Sequence, residues 1–340
     1  MIIVLKPTVT DEQVTEISNI LQSRGLGVHL SRGVETTIIG AIGALDEEKA
    51  ELAGQLGTLA YVDRVVPISK PYKVVARAFR PEGTTISVRG VEIGGRRICV
   101  MAGPCTIESE EMLLSTARFV RDQGATILRG GAFKPSTSPY SFQGMGEEGL
   151  KLLSAARDET GLPVITEVMD PRDVELVCRY ADILQIGTRN MTNFTLLREV
   201  GQSRTPVMLK RGWASTIEEW LQAAEYIASR GNYQIILCER GIRTFETYTR
   251  NTFDLNAVPA IKELSHLPLI ADPAHGTGRW SLVSAVARGA VAAGADGIMV
   301  EVHPTPQAAL KDGAQSLTFP TFSKLMEGLR PVAEAVGRDC

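Results

Sequence analysis

Side chains able to bind anions or metal ions recur at one kind of place in this chain, at the end of a short apolar run or just beyond it. Arg129, Lys210 and Arg240 stand at the ends of three such runs, and Lys134 and Arg189 lie in adjoining loops. Cations that converge repel one another unless an anion holds them, so five in one place imply a small ligand with several negative charges. Arginine forks match phosphate or carboxylate oxygens in pairs, while lysine acts as a point charge. The chain has no GxxxxGK[ST] segment, which excludes a P-loop nucleotide site and leaves a small phosphorylated acid or sugar. A second set, Cys105, His275, Glu301 and Asp312, mixes one thiol, one imidazole and two carboxylates. Such a set suits a divalent metal held by segments far apart in sequence, without selecting among Mn2+, Zn2+, Fe2+ and Co2+.

The elements that must position these residues show a strict alternation. Eight apolar runs occur at 98–102, 126–129, 163–167, 182–186, 206–210, 234–238, 267–271 and 297–301, each followed by a segment able to form a helix. The clearest helix covers 216–229, where Ile217, Trp220, Leu221, Ala224, Ile227 and Ala228 share one face. Gly124, Gly161, Gly231 and Gly294 stand where helices should end. Eight β-then-α units over about 240 residues predict an α/β (β/α)8 TIM barrel, with an open doubly wound sheet as the other possibility. In a TIM barrel the strand C-termini meet in one mouth, which is where both residue sets would lie.

Residues 1–70 read as a separate α+β module. A strand at the N-terminus, a helix over 11–23 capped by Thr10 and stopped by Gly25, two strands, a helix near 47–56 and a last strand near 61–68 give the order βαββαβ, a ferredoxin-like layout. Residues 71–84, with Pro71 and Pro81, read as a linker, and residues 85–340 as the barrel domain opening with a β-hairpin.

The charge distribution follows this division. The formal net charge of −3 lies wholly in the first 70 residues, with six basic and nine acidic side chains, while the remaining 270 carry thirty of each. No long basic run marks a nucleic-acid or membrane surface, and no apolar stretch reaches the roughly 18 residues of a membrane span. Five cysteines without a CxxC pair, and an N-terminus without secretory features, read as reduced thiols in a cytoplasmic protein.

The motifs AGPCTIES, LRGGAFKP, TSPYSFQG, IGTRN, LKRG, ILCERGIRTFE, DPAHGTGR, VEVHP and KDGAQSL together resemble the 3-deoxy-D-arabino-heptulosonate 7-phosphate (DAHP) synthases. The resemblance is to the short-barrel branch with an N-terminal ferredoxin-like extension. It covers about residues 85–330; the first 70 match in layout only.

The resemblance implies condensation of phosphoenolpyruvate with erythrose 4-phosphate and water, the first step toward chorismate and the aromatic amino acids. It implies Cys105, His275, Glu301 and Asp312 as ligands of a divalent metal, with Mn2+ the first expectation. Arg129, Lys134, Thr188, Arg189, Lys210, Arg240 and His275 would bind phosphoenolpyruvate. Pro135, Ser136, Thr137, Asp272 and Asp312 would meet erythrose 4-phosphate. Lys134, Glu167, His275 and Cys105 would serve catalysis. The first 70 residues would carry feedback inhibition by tyrosine or phenylalanine, in a homotetramer or homodimer.

One departure matters: the family's Lys-Pro-Arg-Thr is here Lys134-Pro135-Ser136-Thr137, which removes a phosphate contact unless Arg279 or another group replaces it. The nearest rival is the 3-deoxy-octulosonate 8-phosphate synthase type, whose second-strand loop carries Lys-Ala-Asn. A catalytically silent regulatory barrel is a third reading.

Overall fold

The computed structural model describes residues 1–33, 36–44, 46–66, 71–134 and 140–340. Its N-terminal module consists of β1 (Ile2–Leu5), α1 (Asp11–Ser23), β2 (Gly27–Arg32), β3 (Thr37–Ile42), α2 (Asp46–Gly57) and β4 (Val62–Val66). The strands form an antiparallel sheet in the order β2-β3-β1-β4, the ferredoxin-like arrangement. Helix α1 starts where Thr10 Oγ1 accepts the Gln13 N–H and Gln13 Oε1 accepts the Thr10 N–H, a reciprocal cap. Its spacing buries Val14, Ile17 and Leu21 against the sheet, at roughly 1.5–3 kcal/mol each.

The segment 72–84 is fastened to the barrel along its length. Glu225 accepts the N–H groups of Val74 (3.0 Å) and Val75 (3.1 Å), and the backbone N–H of Arg77 donates to Leu264 O. His266 holds Thr84 Oγ1 through Nδ1 and Val74 O through Nε2, each at 2.7 Å. Ile2, Val4 and Ile38 of the small sheet join one apolar cluster with Tyr72, Val74 and Phe79.

The barrel strands are β7 (Cys99–Gly103), β8 (Ile127–Arg129), β9 (Val164–Glu167), β10 (Ile183–Ile186), β11 (Val207–Lys210), β12 (Ile235–Glu239), β13 (Leu269–Ala271) and β14 (Gly297–Glu301). All pair in parallel, and β14 closes on β7. Outside them run α3 (Glu110–Asp122), α4 (Glu147–Thr160), α5 (Val174–Tyr180), α6 (Phe194–Gln202), α7 (Ile217–Ala228), α8 (Ala257–Leu264), α10 (Trp280–Ala292) and α11 (Phe319–Ala335), while the short α9 (Pro273–Thr277) follows β13 at the mouth.

Side chains alternate between the barrel interior and the helix layer. Met101, Ile127, Ile165, Ile183, Met208, Ile236, Ile270 and Met299 form one inward layer. The hairpin of β5 (Ile86–Val88) and β6 (Val91–Ile93) seals it from the strands' N-terminal side with Ile86, Val88 and Ile93. The floor of the barrel is therefore dry, and anything it binds must enter at the other end.

Candidate active site

Two residues beyond each member of that apolar layer, the pleat returns a side chain to the interior, at the C-terminal mouth. Those positions hold Gly103, Arg129, Glu167, Gln185, Lys210, Cys238, Asp272 and Glu301, and Arg240 stands one pleat above Cys238. Most are charged or polar and nearly all are buried. Two glycines make room for them. A Cβ on Gly103 would stand 2.1 Å from Arg129 O, and one on Gly187 would stand 1.9 Å from Glu167 Oε1.

The resulting cavity is lined by Arg129, Lys134, Glu167, Gln185, Thr188, Arg189, Lys210, Arg240, His275 and Asp312, and also by Trp213, Arg250 and Lys311. All five cations expected from the sequence thus share one mouth.

At one side of it, ligand atoms of Cys105, Glu301 and Asp312 lie within 4.8 Å of one another. Cys105 Sγ stands 3.2 Å from Asp312 Oδ2, and His275 Nε2 stands 3.6 Å from Glu301 Oε1. Glu301 Oε1 is buried without a hydrogen-bond partner, while Oε2 accepts from Gln315 Nε2 at 2.7 Å. A buried carboxylate oxygen without a hydrogen bond, beside a thiol and a second carboxylate, fits a divalent cation. Asp312 reaches its place from a left-handed backbone conformation (φ 52°), which costs about 1–3 kcal/mol in a non-glycine residue. Its loop is held by Leu310 N–H donating to Glu108 Oε1 (2.9 Å), and its own Oδ1 takes Arg250 Nη1 (3.0 Å).

The cations of the mouth divide by their partners. Lys210 Nζ meets Asp272 Oδ2 at 2.5 Å, Lys134 Nζ meets Asp312 Oδ2 at 3.3 Å, and Arg129 Nη1 lies 3.4 Å from Glu301 Oε1. Arg129 Nη1 also donates to Pro104 O at 2.6 Å. Arg189 and Arg240 instead lie by the indole of Trp213, at 5.1 and 5.9 Å from its centroid.

Burial and these neighbours set the protonation states. Burial pushes the Cys105 thiol up, and the Glu301 carboxylate adds to it, so without a cation the thiol keeps its proton. Burial alone would lower Lys134, but the negative charge of Cys105 when it is a thiolate and of Glu301 and Asp312 outweighs it and holds the ammonium above the usual lysine value. Burial brings His275 down to about 4 against the pull of Asp272, leaving the neutral imidazole that metal ligation requires. Burial raises Glu167, with Lys134, Lys210, Arg129 and Arg189 opposing, so this carboxyl holds a proton more readily than a free one.

Several placements refine the sequence reading. Asp272, expected at erythrose 4-phosphate, is wholly buried behind Lys210 and His275 and is not among the cavity-lining side chains. Arg279 is held on Tyr248, with Nε donating to Tyr248 O and the guanidinium 4.1 Å from the ring, and it does not line the mouth. Pro135, Ser136 and Thr137 lie outside the described residues. Gln185, whose Nε2 donates to Glu167 Oε2 at 3.3 Å, was not anticipated, although its inward parity was readable. Nor were Trp213, Arg250 and Gln315, whose partners come from other loops. Arg211, next to Lys210 but of opposite parity, serves the fold, pairing with Glu239 (2.9 Å) and Asp254 (2.8 Å).

Comparison with known proteins places both regions of the chain in one family. The model of the DAHP synthetase I family matches residues 76–335, and that of the DAHP synthase ferredoxin-like domain matches residues 1–70. The chain is 50% identical over 337 residues to a phospho-2-dehydro-3-deoxyheptonate aldolase of Thermotoga maritima, covering 99% of both chains. It is 33% identical over 267 residues to a 2-dehydro-3-deoxyphosphooctonate aldolase of Syntrophotalea carbinolica, covering 73% of this chain and 95% of the relative. Among solved structures, the DAHP synthase of Thermotoga maritima aligns with a TM-score of 0.79 at 48% identity, over 99% of this chain and 98% of that one. A truncated form of the Thermotoga maritima enzyme aligns with a TM-score of 0.75 at 49% identity, over 79% of this chain and 99% of that one.

Proposed function

The chain belongs to the DAHP synthetase I family, and from that premise we propose how its own residues divide the work. The reaction joins phosphoenolpyruvate, erythrose 4-phosphate and water into DAHP and inorganic phosphate, the first step of the shikimate pathway. The observation that carries the assignment of roles is the cation-lined mouth beside the Cys105, Glu301 and Asp312 cluster.

Arg129 and Lys134 bind the carboxylate of phosphoenolpyruvate, and Thr188, Arg189, Lys210 and Arg240 bind its phosphate. Fixed cations offset the Coulomb cost of seating a second anionic substrate beside the first and hold the reacting carbons together. Cys105, His275, Glu301 and Asp312 hold a divalent metal, with Mn2+ favoured and Zn2+, Fe2+ or Co2+ compatible. When bound, the metal supplies Lewis-acid polarisation of the aldehyde oxygen.

C3 of phosphoenolpyruvate forms the new bond to the aldehyde carbon of erythrose 4-phosphate, using the enol π pair. Lys134, which the acidic cluster keeps charged, gives its proton to the nascent alkoxide. Water adds at C2 while Glu167, oriented by Gln185, takes its proton. The C2–O bond of the phosphohemiketal then breaks as the C2 hydroxyl becomes the ketone, and its proton and the bond's electron pair leave with the phosphate.

Ser136 stands where the family carries arginine. Arg250 and Lys311, the cavity-lining cations outside the phosphoenolpyruvate clamp among the described residues, take up the phosphate of erythrose 4-phosphate. Asp272 contributes through His275 and Lys210.

Residues 1–70 form a feedback module for tyrosine or phenylalanine, working in a homodimer or homotetramer. The family model over residues 1–70 and the exposed Leu30 and Ile42 on its β2–β3 ribbon support this. The five unpaired cysteines support a cytoplasmic setting. Among the described residues, no helix is long and apolar enough to cross a membrane.

The test is release of inorganic phosphate from phosphoenolpyruvate with a panel of aldose phosphates. A clear preference for another aldose phosphate over erythrose 4-phosphate would overturn the substrate assignment.

A further inference from the structure

Trp213 lies in the β11–α7 loop with three guanidinium groups around its indole. Arg243, Arg189 and Arg240 stand 4.6, 5.1 and 5.9 Å from the ring centroid. Arg189 comes from the loop after β10, and Arg240 and Arg243 from the segment after β12. The backbone ties two of these loops together, since the Arg243 N–H donates to Trp213 O at 2.8 Å. Among the described residues none of the three guanidiniums has a carboxylate within ion-pair distance. Arg240 is 2% exposed, and its Nε has no hydrogen-bond partner.

This differs in kind from the rest of the mouth, where Lys210 is held by Asp272, Lys134 by Asp312 and Arg129 by Glu301. A carboxylate orients a cation but also neutralises it and competes with an incoming anion. An aromatic ring attracts a guanidinium through its quadrupole and leaves the charge and the N–H fork available. Three arginines gathered by one ring, one of them buried with an unpaired N–H, form a receptor that only an anion completes.

We propose that Trp213 is a positioning residue for the phosphate end of the substrate clamp, holding Arg189, Arg240 and a third arginine, Arg243, as one receptor for the phosphate group of phosphoenolpyruvate. The proposal rests on the reading of Arg189 and Arg240 as phosphate ligands. Arg189 and Arg243 are the exposed members of the group, and Arg240 is the buried one.

The experiment compares full-length, metal-loaded wild type with Trp213→Leu, Trp213→Phe and Arg189→Gln. It measures kcat, both KM values, the calorimetric Kd of phosphoenolpyruvate and the unfolding midpoint. Trp213→Leu is expected to raise the KM and Kd of phosphoenolpyruvate about tenfold, as loss of partly desolvated cation–π contacts should. The kcat and the KM of erythrose 4-phosphate should change less than about threefold on the same grounds. Trp213→Phe, which keeps an aromatic face, should restore most of the affinity.

Unchanged phosphoenolpyruvate affinity in Trp213→Leu, beside a clear loss in Arg189→Gln, overturns the proposal and leaves the clamp reading standing. Unchanged affinity in Arg189→Gln overturns the clamp reading and the proposal with it. A Trp213→Phe variant as impaired as Trp213→Leu, or parallel losses for both substrates with a lowered midpoint, replaces the positioning role with a structural one.

Discussion

Asp272 grips His275 at two points. Its Oδ1 accepts the His275 backbone N–H at 2.9 Å, and its Oδ2 lies 2.8 Å from His275 Nδ1. The same Oδ2 meets Lys210 Nζ at 2.5 Å. One buried carboxylate therefore joins the side of the mouth proposed to hold the metal to the side proposed to hold phosphoenolpyruvate. It fixes the imidazole so that Nε2 faces Glu301, 3.6 Å from Oε1, the arrangement by which an outer carboxylate orients a ligating histidine.

Asp272→Asn should weaken both halves at once. Metal affinity is expected to fall about 10–100-fold, the usual cost of losing a carboxylate behind a ligating histidine. The KM of phosphoenolpyruvate should rise together with it, because Lys210 loses its charged anchor. Metal titration with steady-state kinetics checks both, and a change in only one would separate the roles.

Glu167→Gln should lower kcat by about 10²–10⁴, the range for a group that moves a proton in the transition state. It should also change the pH dependence of stability. Burial raises the Glu167 carboxyl, so the native state holds this proton more tightly than the unfolded chain does. The resulting stabilisation is complete below the unfolded value of about 4.3 and is lost as pH rises through the higher folded value. Glutamine carries no such dependence. The stability of the variant relative to wild type should therefore increase with pH across that window, as measured by denaturant unfolding of the ligand-free proteins.

Cys105→Ala should abolish metal-dependent turnover while costing only about 1 kcal/mol of stability, an ordinary figure for one small buried truncation. Circular dichroism and metal titration distinguish this from unfolding. Full metal affinity in the variant would remove Cys105 from the ligand set.

A truncation beginning at Tyr72 should remain active and lose the proposed inhibition by tyrosine or phenylalanine. The cut belongs there because residues 72–84 are held by Glu225, His266 and Leu264 of the barrel. Inhibition assays on the two forms settle the point; equal inhibition of both would remove the regulatory role from the first 70 residues.

Much of this architecture was readable because period-two alternation survives in short strands. Ile127 and Arg129, Ile165 and Glu167, and Met208 and Lys210 each place an apolar residue below a charged one on the same inward line. The same parity separates Lys210 from its neighbour Arg211, which points to the helix layer and to Glu239. Thr10 and Gln13 announce their helix because a cap is local in sequence.

The remainder depends on distance. Arg250 meets Asp312 from 62 positions away, and Gln315 supports Glu301 across a loop. The gathering of Arg189, Arg240 and Arg243 on Trp213 involves three separate loops, and no spacing within any one of them encodes it. Metal-ligand residue types were recognisable singly, but the buried Glu301 Oε1 without a hydrogen bond became visible only in three dimensions.

The most direct test is a steady-state assay of purified protein with phosphoenolpyruvate and either erythrose 4-phosphate or arabinose 5-phosphate, with and without chelator. The expected result is DAHP and inorganic phosphate formed in equal amounts, a higher kcat/KM for erythrose 4-phosphate, loss of turnover with chelator, and recovery on adding a divalent metal. Higher kcat/KM with arabinose 5-phosphate, or turnover indifferent to chelation, would contradict the account.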